Sequence, residues 1–137
     1  MPRPIKPVES FDRIPVNRFL GYTLTERGDG TACVTMPARR EYAQEAGVIQ
    51  GGLLTALADT AAAYALLPAE DDGTTIIGTE LKVNFLRAAT AGGDELRARS
   101  QVLKRGRTVS VVEAEVCQGA QTVLKGSFGF LHYRAGD

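Results

Sequence analysis

Histidine is almost absent from this sequence, in which His132, near the C-terminus, is the only one. A zinc site, or a nucleophile activated by histidine, needs a histidine close to other ligands or to the nucleophile itself. One late histidine supports neither arrangement. We therefore interpret His132 as a structural residue and predict no metal site.

Cysteine is also scarce. Cys33 and Cys117 lie far apart in strand-like segments, and their spacing does not match a metal-binding motif. We expect both to be free, buried thiols, which fit a reducing cytoplasm.

Residues 1–10 contain three prolines and no apolar run, so we expect neither a signal peptide nor a membrane anchor. These features predict a cytoplasmic protein without a membrane partner.

Neither sign of charge is in excess, because 16 lysines and arginines balance 16 aspartates and glutamates. No basic run or basic helix is present, so we do not expect a nucleic-acid partner.

The 137 residues, of which 44% are hydrophobic, are enough for one domain with a hydrophobic core. We expect a single domain over residues 1–137, with residues 1–10 as a flexible, proline-rich lead.

The order of elements is readable from alternation and turn signals. Two alternating segments flank the turn Gly28–Asp29–Gly30 and predict a β-hairpin, and an apolar segment predicts a helix from about Gln50 to Leu67. Four extended segments follow, separated by short turns that predict an antiparallel meander: residues 75–88, 94–106, 108–118 and 121–134. Because one apolar helix must be covered, we predict an α+β fold, with a curved antiparallel sheet wrapped around the helix.

Asp59 is the only side chain between Gly47 and Leu67 that is charged at neutral pH. A carboxylate is costly to bury without a partner. In a helix it lies opposite the leucines, among small residues that let a ligand or a second backbone approach. We interpret it as a carboxylate kept desolvated for acid–base or nucleophilic catalysis. The alternatives are a solvated helix face and a structural pairing with a buried arginine or with backbone.

The start of the same helix carries Gly51 and Gly52. The first amides of a helix have no intrahelical partner and carry partial positive charge. Without a Cβ in the way, an anion or a developing oxyanion can approach these N–H groups. Together with Asp59 two turns later, this pattern predicts an oxyanion site beside a base.

These residues resemble a known motif. The segment QEAGVIQGGLLTALAD is similar to the motif of hotdog-fold acyl-CoA thioesterases of the phenylacetate-pathway (PaaI-like) branch. That motif has Asn or Gln, then Gly, then His-Gly-Gly, and an acid nine residues after the His. The positions that match in register are Gln44, Gly47, Gly51, Gly52 and Asp59.

The resemblance extends over about residues 19–130 and implies the hotdog fold and thioester hydrolysis. It implies that Asp59 activates water or attacks the thioester carbonyl, that the Gly51 amide polarises this carbonyl, and that Gln44 holds the thioester or the water. By the same motif, Gly47 and Gly52 are expected to bind substrate. The only coenzyme expected is the coenzyme A of the acyl-CoA substrate. The family also implies a homodimer, or a dimer of dimers, in which each active site is shared by two chains.

The sequence departs from the family at Gln50, which stands where the motif has His. A glutamine side chain donates a hydrogen bond but cannot serve as a base, so we expect Gln50 to assist catalysis. This departure leaves open a hotdog protein that binds acyl-CoA, or another acyl ligand, without turnover. A hydratase of the same fold is disfavoured, because those enzymes use a histidine with the acid.

Three further expectations concern the substrate. Ala63 lacks the hydroxyl that some relatives carry one turn after the acid, so we predict that Thr79 positions the water. For the phosphates of coenzyme A we predict basic residues of the turn LKRGRT, with a solvated hairpin tip as the alternative: Lys104, Arg105 and Arg107. The acyl group stays open between aryl and medium-chain groups.

Overall fold

The computed structural model describes residues 11–68 and 72–134. The predicted flexible lead, residues 1–10, lies outside these ranges. A 3₁₀ turn, Phe11–Arg13, and a short helix α1, Pro15–Leu20, precede the sheet, and a long helix α2 spans Gly51–Leu66. No helix within the described residues is long and apolar enough to cross a membrane.

The described residues contain six strands: β1 Thr23–Gly28, β2 Thr31–Met36, β3 Thr74–Phe85, β4 Leu96–Lys104, β5 Val109–Gln118 and β6 Gln121–Arg134. They form one antiparallel sheet in the order β1-β2-β4-β5-β6-β3. This sheet and the long helix α2 confirm the predicted α+β architecture.

Helix α2 begins and ends within one residue of the predicted limits, Gln50 and Leu67, which are its N-cap and C-cap residues. Its buried side is built from leucines and alanines, and the small alanines allow the sheet to pack closely around it. Two arginines satisfy its last carbonyls. Arg27 donates to the Tyr64 and Leu67 carbonyls, and Arg105 donates to that of Leu66.

The predicted meander is wrong in one respect: β3 does not pair with β4, which is the next strand along the chain. It pairs instead with β6, at the edge of the sheet. The connection of residues 86–95 is long enough to cross the ends of β6 and β5 before β4 begins. The Gln118 side chain holds it there, with hydrogen bonds to the Thr90 amide and carbonyl, at 2.8 Å each, and to the Asp94 carbonyl at 2.9 Å.

Strand β3 leaves an apolar strip open at the sheet edge. Leu81 and Phe85 pair with Phe128 and Leu124 of β6. Both of these β6 side chains are buried on the inner face, so Leu81 and Phe85 lie on that face too. They remain 47% and 56% exposed.

Candidate active site

Asp59 lies half-buried in the middle of α2, facing the edge strand β3. A methyl group at Gly78 of β3 would be 4.0 Å from Asp59 Oδ1. Within the described residues, the carboxylate has no hydrogen bond and no ion pair. Burial raises the pKa of Asp59 above its usual value, because desolvation disfavours the charged form. The arrangement therefore does not support a structural pairing with arginine.

The structure adds a residue that sequence reasoning missed, Tyr22, which immediately precedes β1. Its hydroxyl is buried. Thr60 and Asp59 lie close enough to influence its pKa, but neither makes a hydrogen bond of ordinary geometry with it. Burial raises the pKa of Tyr22 to about 12, so at neutral pH the hydroxyl keeps its proton. Tyr22 thus places a hydrogen-bond donor near the Asp59 carboxylate.

The first turn of α2 presents free amide groups. Gly51 is the first helical residue, and the Gly51 and Gly52 N–H groups donate to no described residue. The Gln50 side chain lies alongside, since a methyl group at Gly52 would be 3.5 Å from Gln50 Oε1. Phe85 covers Gly51 closely: a Cβ at Gly51 would be only 2.9 Å from Phe85 Cε1. Glycine at this position therefore lets the ring rest against the helix start.

An open pocket of about 460 Å³ borders this helix start. It brings together two of the predicted residues, Gln44 and Gly51, and adds Phe85 and Arg87, which were not predicted. The rest of its wall is apolar and includes Val48, Ile49, Leu54, Leu86 and Ala89. This combination of an apolar wall with a few polar groups is typical of a small-molecule site.

Gly47 has a backbone position in this loop and does not line the pocket. Its φ of +72° is left-handed, as is that of Ala46 at 59°, and its carbonyl accepts a hydrogen bond from the Ala91 amide at 2.9 Å. The substrate contact predicted for Gly47 stays a prediction.

Gly51 and Asp59 lie apart within one chain. They are eight residues apart in α2, which corresponds to about 12 Å along the helix axis. Gly51 contacts Phe85 at the end of β3, whereas Asp59 faces Gly78 nearer its start. A single thioester carbonyl therefore cannot contact both groups of the same chain.

Thr79 lies on β3 next to Gly78, at an irregularity in the pairing with β6. Its hydroxyl donates to the Gly129 carbonyl at 3.3 Å. Gly129 lies between the inward-facing Phe128 and Phe130, so this contact is on the outer face of the sheet. The predicted role of Thr79 in positioning water stays a prediction, and this contact does not favour it.

The turn between β4 and β5 lies beyond the other end of α2. Arg105 Nη1 donates to the Leu66 carbonyl at 3.0 Å, and Nη2 is 3.7 Å from Asp29 Oδ1. Arg105 and Arg107 line a second open pocket, of about 790 Å³, together with Asp72 and His132. Lys104 is exposed and does not line this pocket. The phosphate contacts predicted for this turn stay predictions.

His132 pairs with a buried serine. The Gly106 amide donates to Ser110 Oγ at 3.0 Å, and the same Oγ shares a hydrogen bond with His132 Nε2 at 2.6 Å. Burial, with a smaller contribution from the nearby Arg105, lowers the pKa of His132 and so favours the neutral ring. Ser110 is fully buried and inaccessible to a substrate. The pair therefore fits a structural role, not that of a nucleophile and its base.

Comparison of the amino-acid sequence with those of known proteins identifies thioesterases as relatives of this chain. The family model for the thioesterase superfamily matches residues 46–125, more than half of the chain. The acyl-coenzyme A thioesterase PaaI of Escherichia coli is 32% identical over 107 residues, which cover 78% of this chain and 74% of that relative. The proofreading thioesterase EntH of Cronobacter sakazakii is 34% identical over 88 residues, covering 64% of this chain and 63% of EntH.

Comparison of the fold with solved structures also identifies PaaI as a relative. A conserved protein from Pseudomonas aeruginosa superposes with a TM-score of 0.83 at 32% identity, covering 93% of this chain and 100% of that one. The E. coli PaaI protein superposes with a TM-score of 0.80 at 28% identity, covering 92% of this chain and 88% of PaaI. The chain therefore belongs to the thioesterase superfamily, as a hotdog-fold, PaaI-like thioester hydrolase.

Proposed function

We propose that this enzyme hydrolyses acyl-CoA thioesters that carry an aryl or medium-chain acyl group, with Asp59 as its base or nucleophile. The observation that carries this proposal is the environment of the Asp59 carboxylate. The carboxylate is half-buried and has no hydrogen bond or ion pair with a described residue, and its burial raises the pKa of Asp59. A relative named acyl-coenzyme A thioesterase supports the substrate class. The free thiols of Cys33 and Cys117 fit an activity in the cytoplasm.

In the reaction, the Gly51 N–H group donates to the carbonyl oxygen of the thioester. Asp59 takes a proton from water as the water oxygen attacks the carbonyl carbon. The carbon–sulfur bond then breaks, the coenzyme A thiolate leaves and takes the proton held by Asp59, and the acyl group departs as a carboxylic acid. In the nucleophilic variant, the Asp59 carboxylate attacks the carbonyl carbon and the carbon–sulfur bond breaks to release the thiolate. Water then hydrolyses the mixed anhydride to the carboxylic acid and protonated Asp59, whose proton goes to the thiolate. Tyr22, Gln44 and Gln50 supply uncharged hydrogen-bonding groups around this centre.

We propose a homodimer that completes the site across its two-fold axis. If two β3 strands pair antiparallel about an axis at Lys82, and the irregularity at Thr79 adds one residue, Gly78 of one chain lies opposite the partner's Phe85. Gly78 faces Asp59, and Phe85 covers Gly51. The pairing therefore brings Asp59 near the partner's Gly51, which overcomes their separation within one chain.

The open edge of β3 supports this pairing. An unpaired strand edge exposes backbone donors and acceptors, which proteins commonly pair or cover. The exposed side chains of Leu81 and Phe85 would be buried by the same contact, at a gain of about 25 cal/mol per Å² of apolar area removed from water. A dimer of dimers needs a further surface and is compatible with this arrangement.

We expect Leu81→Arg to convert the dimer to a monomer and to abolish hydrolysis, because a charge in the interface prevents β3 from pairing. The matched control is Leu103→Arg, at a leucine that is 57% exposed at the end of β4. Light scattering and hydrolysis are measured on both variants, with circular dichroism as the check of folding. A folded, monomeric and fully active Leu81→Arg variant would contradict the shared site.

Substitutions of Gln50 are expected to have a smaller effect on hydrolysis. Since its side chain lies beside the first turn and cannot act as a base, Gln50→Ala should reduce kcat by about tenfold, the loss of one uncharged hydrogen bond. Gln50→His should be tolerated. If the alanine variant folds but loses all activity, the centre of the reaction is at the helix start and not at Asp59.

A second candidate function is the binding of an acyl-CoA without turnover, which is favoured by glutamine in place of the family histidine. A panel of aryl and medium-chain acyl-CoA thioesters separates the two functions. We expect release of free thiol, measured with a thiol reagent, for at least one member of the panel. Saturable binding with no thiol release for any member would favour the binding protein instead.

A further inference from the structure

We propose that Arg87 binds the phosphates of coenzyme A and makes the enzyme selective for CoA thioesters over short thioesters. The proposal rests on the proposed function, since it assumes that the thioester lies against Gly51. It also assigns a task to a residue that was not among the candidates derived from the sequence.

Arg87 is held by its backbone but free at its side chain. On one side, the Leu86 amide donates to the Val123 carbonyl at 2.8 Å. On the other side, the Ala89 carbonyl accepts from the Ile49 amide at 2.9 Å. The exposed guanidinium makes no hydrogen bond or ion pair within the described ranges. A fixed backbone with an unused guanidinium is suited to binding an anion.

The pocket around Arg87 combines the kinds of group that coenzyme A requires. Gly51 and Gln44 border the pocket where the thioester would lie, and its wall, with the Phe85 ring, is largely apolar, as the uncharged pantetheine arm requires. The phosphates lie at the far end of this arm, so a cation is needed beside them. Among the described residues that line the pocket, Arg87 is the only charged one, and guanidinium binds phosphate through paired hydrogen bonds.

The pocket at the β4–β5 turn is less suited to the phosphates. Its Arg105 already donates to the Leu66 carbonyl and lies near Asp29. Its His132 is neutral, and the carboxylate of Asp72 lies in its wall. Arg107 is therefore the one cation there that is not engaged elsewhere among the described residues, and an acidic group faces the same space.

The test compares two thioesters of one acyl group. Benzoyl or octanoyl, whichever the wild-type enzyme turns over faster, is supplied on coenzyme A and on N-acetylcysteamine, which lacks the phosphates. For Arg87→Ala we expect KM for the acyl-CoA to rise about tenfold or more, the loss of a charged hydrogen bond, with kcat nearly unchanged. KM for the N-acetylcysteamine thioester should not change. Arg87→Lys should restore part of the acyl-CoA affinity.

Arg99→Ala, at an exposed arginine of β4 that does not line this pocket, is the matched control, and we expect it to leave both KM values unchanged. Arg107→Ala and Lys104→Ala test the competing site at the β4–β5 turn: a rise in KM for the acyl-CoA in these variants but not in Arg87→Ala would overturn the proposal. An unchanged KM for acyl-CoA in Arg87→Ala would overturn the proposal, as would an equal rise for both thioesters, which would place Arg87 at the acyl group. Failure of the proposed function is distinct, because the wild-type enzyme would then hydrolyse neither thioester.

Discussion

Asp59→Asn is expected to lower thioester hydrolysis by roughly a hundredfold or more, while the protein still folds and still binds an unreactive acyl-CoA analogue. Asparagine keeps the shape of the side chain but can neither take a proton from water nor attack a carbonyl. The measurement is the rate of thiol release, beside binding of the analogue by calorimetry. In the wild-type enzyme, kcat/KM should rise with pH through the raised pKa of Asp59, because only the carboxylate is active.

The same substitution should stabilise the fold at neutral pH. Burial raises the pKa of Asp59 in the folded state above its value in the unfolded chain, so folded protein binds the proton more tightly. The free energy of unfolding therefore falls as pH rises from the unfolded to the folded pKa, and the penalty persists above it. Asp59→Asn removes this penalty. Its melting temperature should exceed that of the wild type at pH 7, and the difference should shrink in acid.

Two outcomes would contradict this role. Near wild-type turnover by Asp59→Asn would remove the carboxylate from the mechanism. Lost activity together with a lower melting temperature would mean that Asp59 holds the fold together. The structure argues against the second outcome, since no described residue pairs with the carboxylate.

Local patterns were sufficient to predict the helix and most strands. Helix α2 is a long apolar segment whose length separates it from a strand, and the hairpin is marked by Gly28–Asp29–Gly30. The pairing of β3 with β6 was not predictable in this way. Strand neighbours follow from turn length only where the turn is short, and the connection of residues 86–95 is not.

The candidate site was predictable where its residues are neighbours along one segment. Gln44, Gly51 and Asp59 belong to the loop and helix that carry the family motif. Tyr22 immediately precedes β1 and Arg87 follows β3. Only the tertiary structure brings Tyr22 to Asp59 and Arg87 to Gly51. A lone tyrosine or arginine in a strand-rich chain has no spacing that distinguishes it from a surface residue.

Gly51→Pro is expected to lower hydrolysis by about a hundredfold or more, which is the usual effect of removing one oxyanion donor. Gly51 is the first helical residue, a position where proline is well tolerated because its missing N–H has no intrahelical partner. The preceding Gln50, at φ −57° and ψ 130°, already has the extended conformation that proline demands of its neighbour. The substitution therefore removes the proposed hydrogen bond to the thioester carbonyl while leaving the helix able to form.

Gly51→Ala is the matched control, because it adds the same Cβ but keeps the N–H group. That Cβ would lie 2.9 Å from Phe85 Cε1, so the half-exposed ring must shift in both variants, and a small loss of activity from this movement is common to both. The proline and alanine variants then differ in the N–H group and in the Cγ and Cδ atoms of the proline ring, so the difference in kcat is an upper limit for the contribution of the amide. Equal activity in the two variants, with equal melting temperatures, would exclude the Gly51 amide as the donor, since the oxyanion would then be stabilised without it.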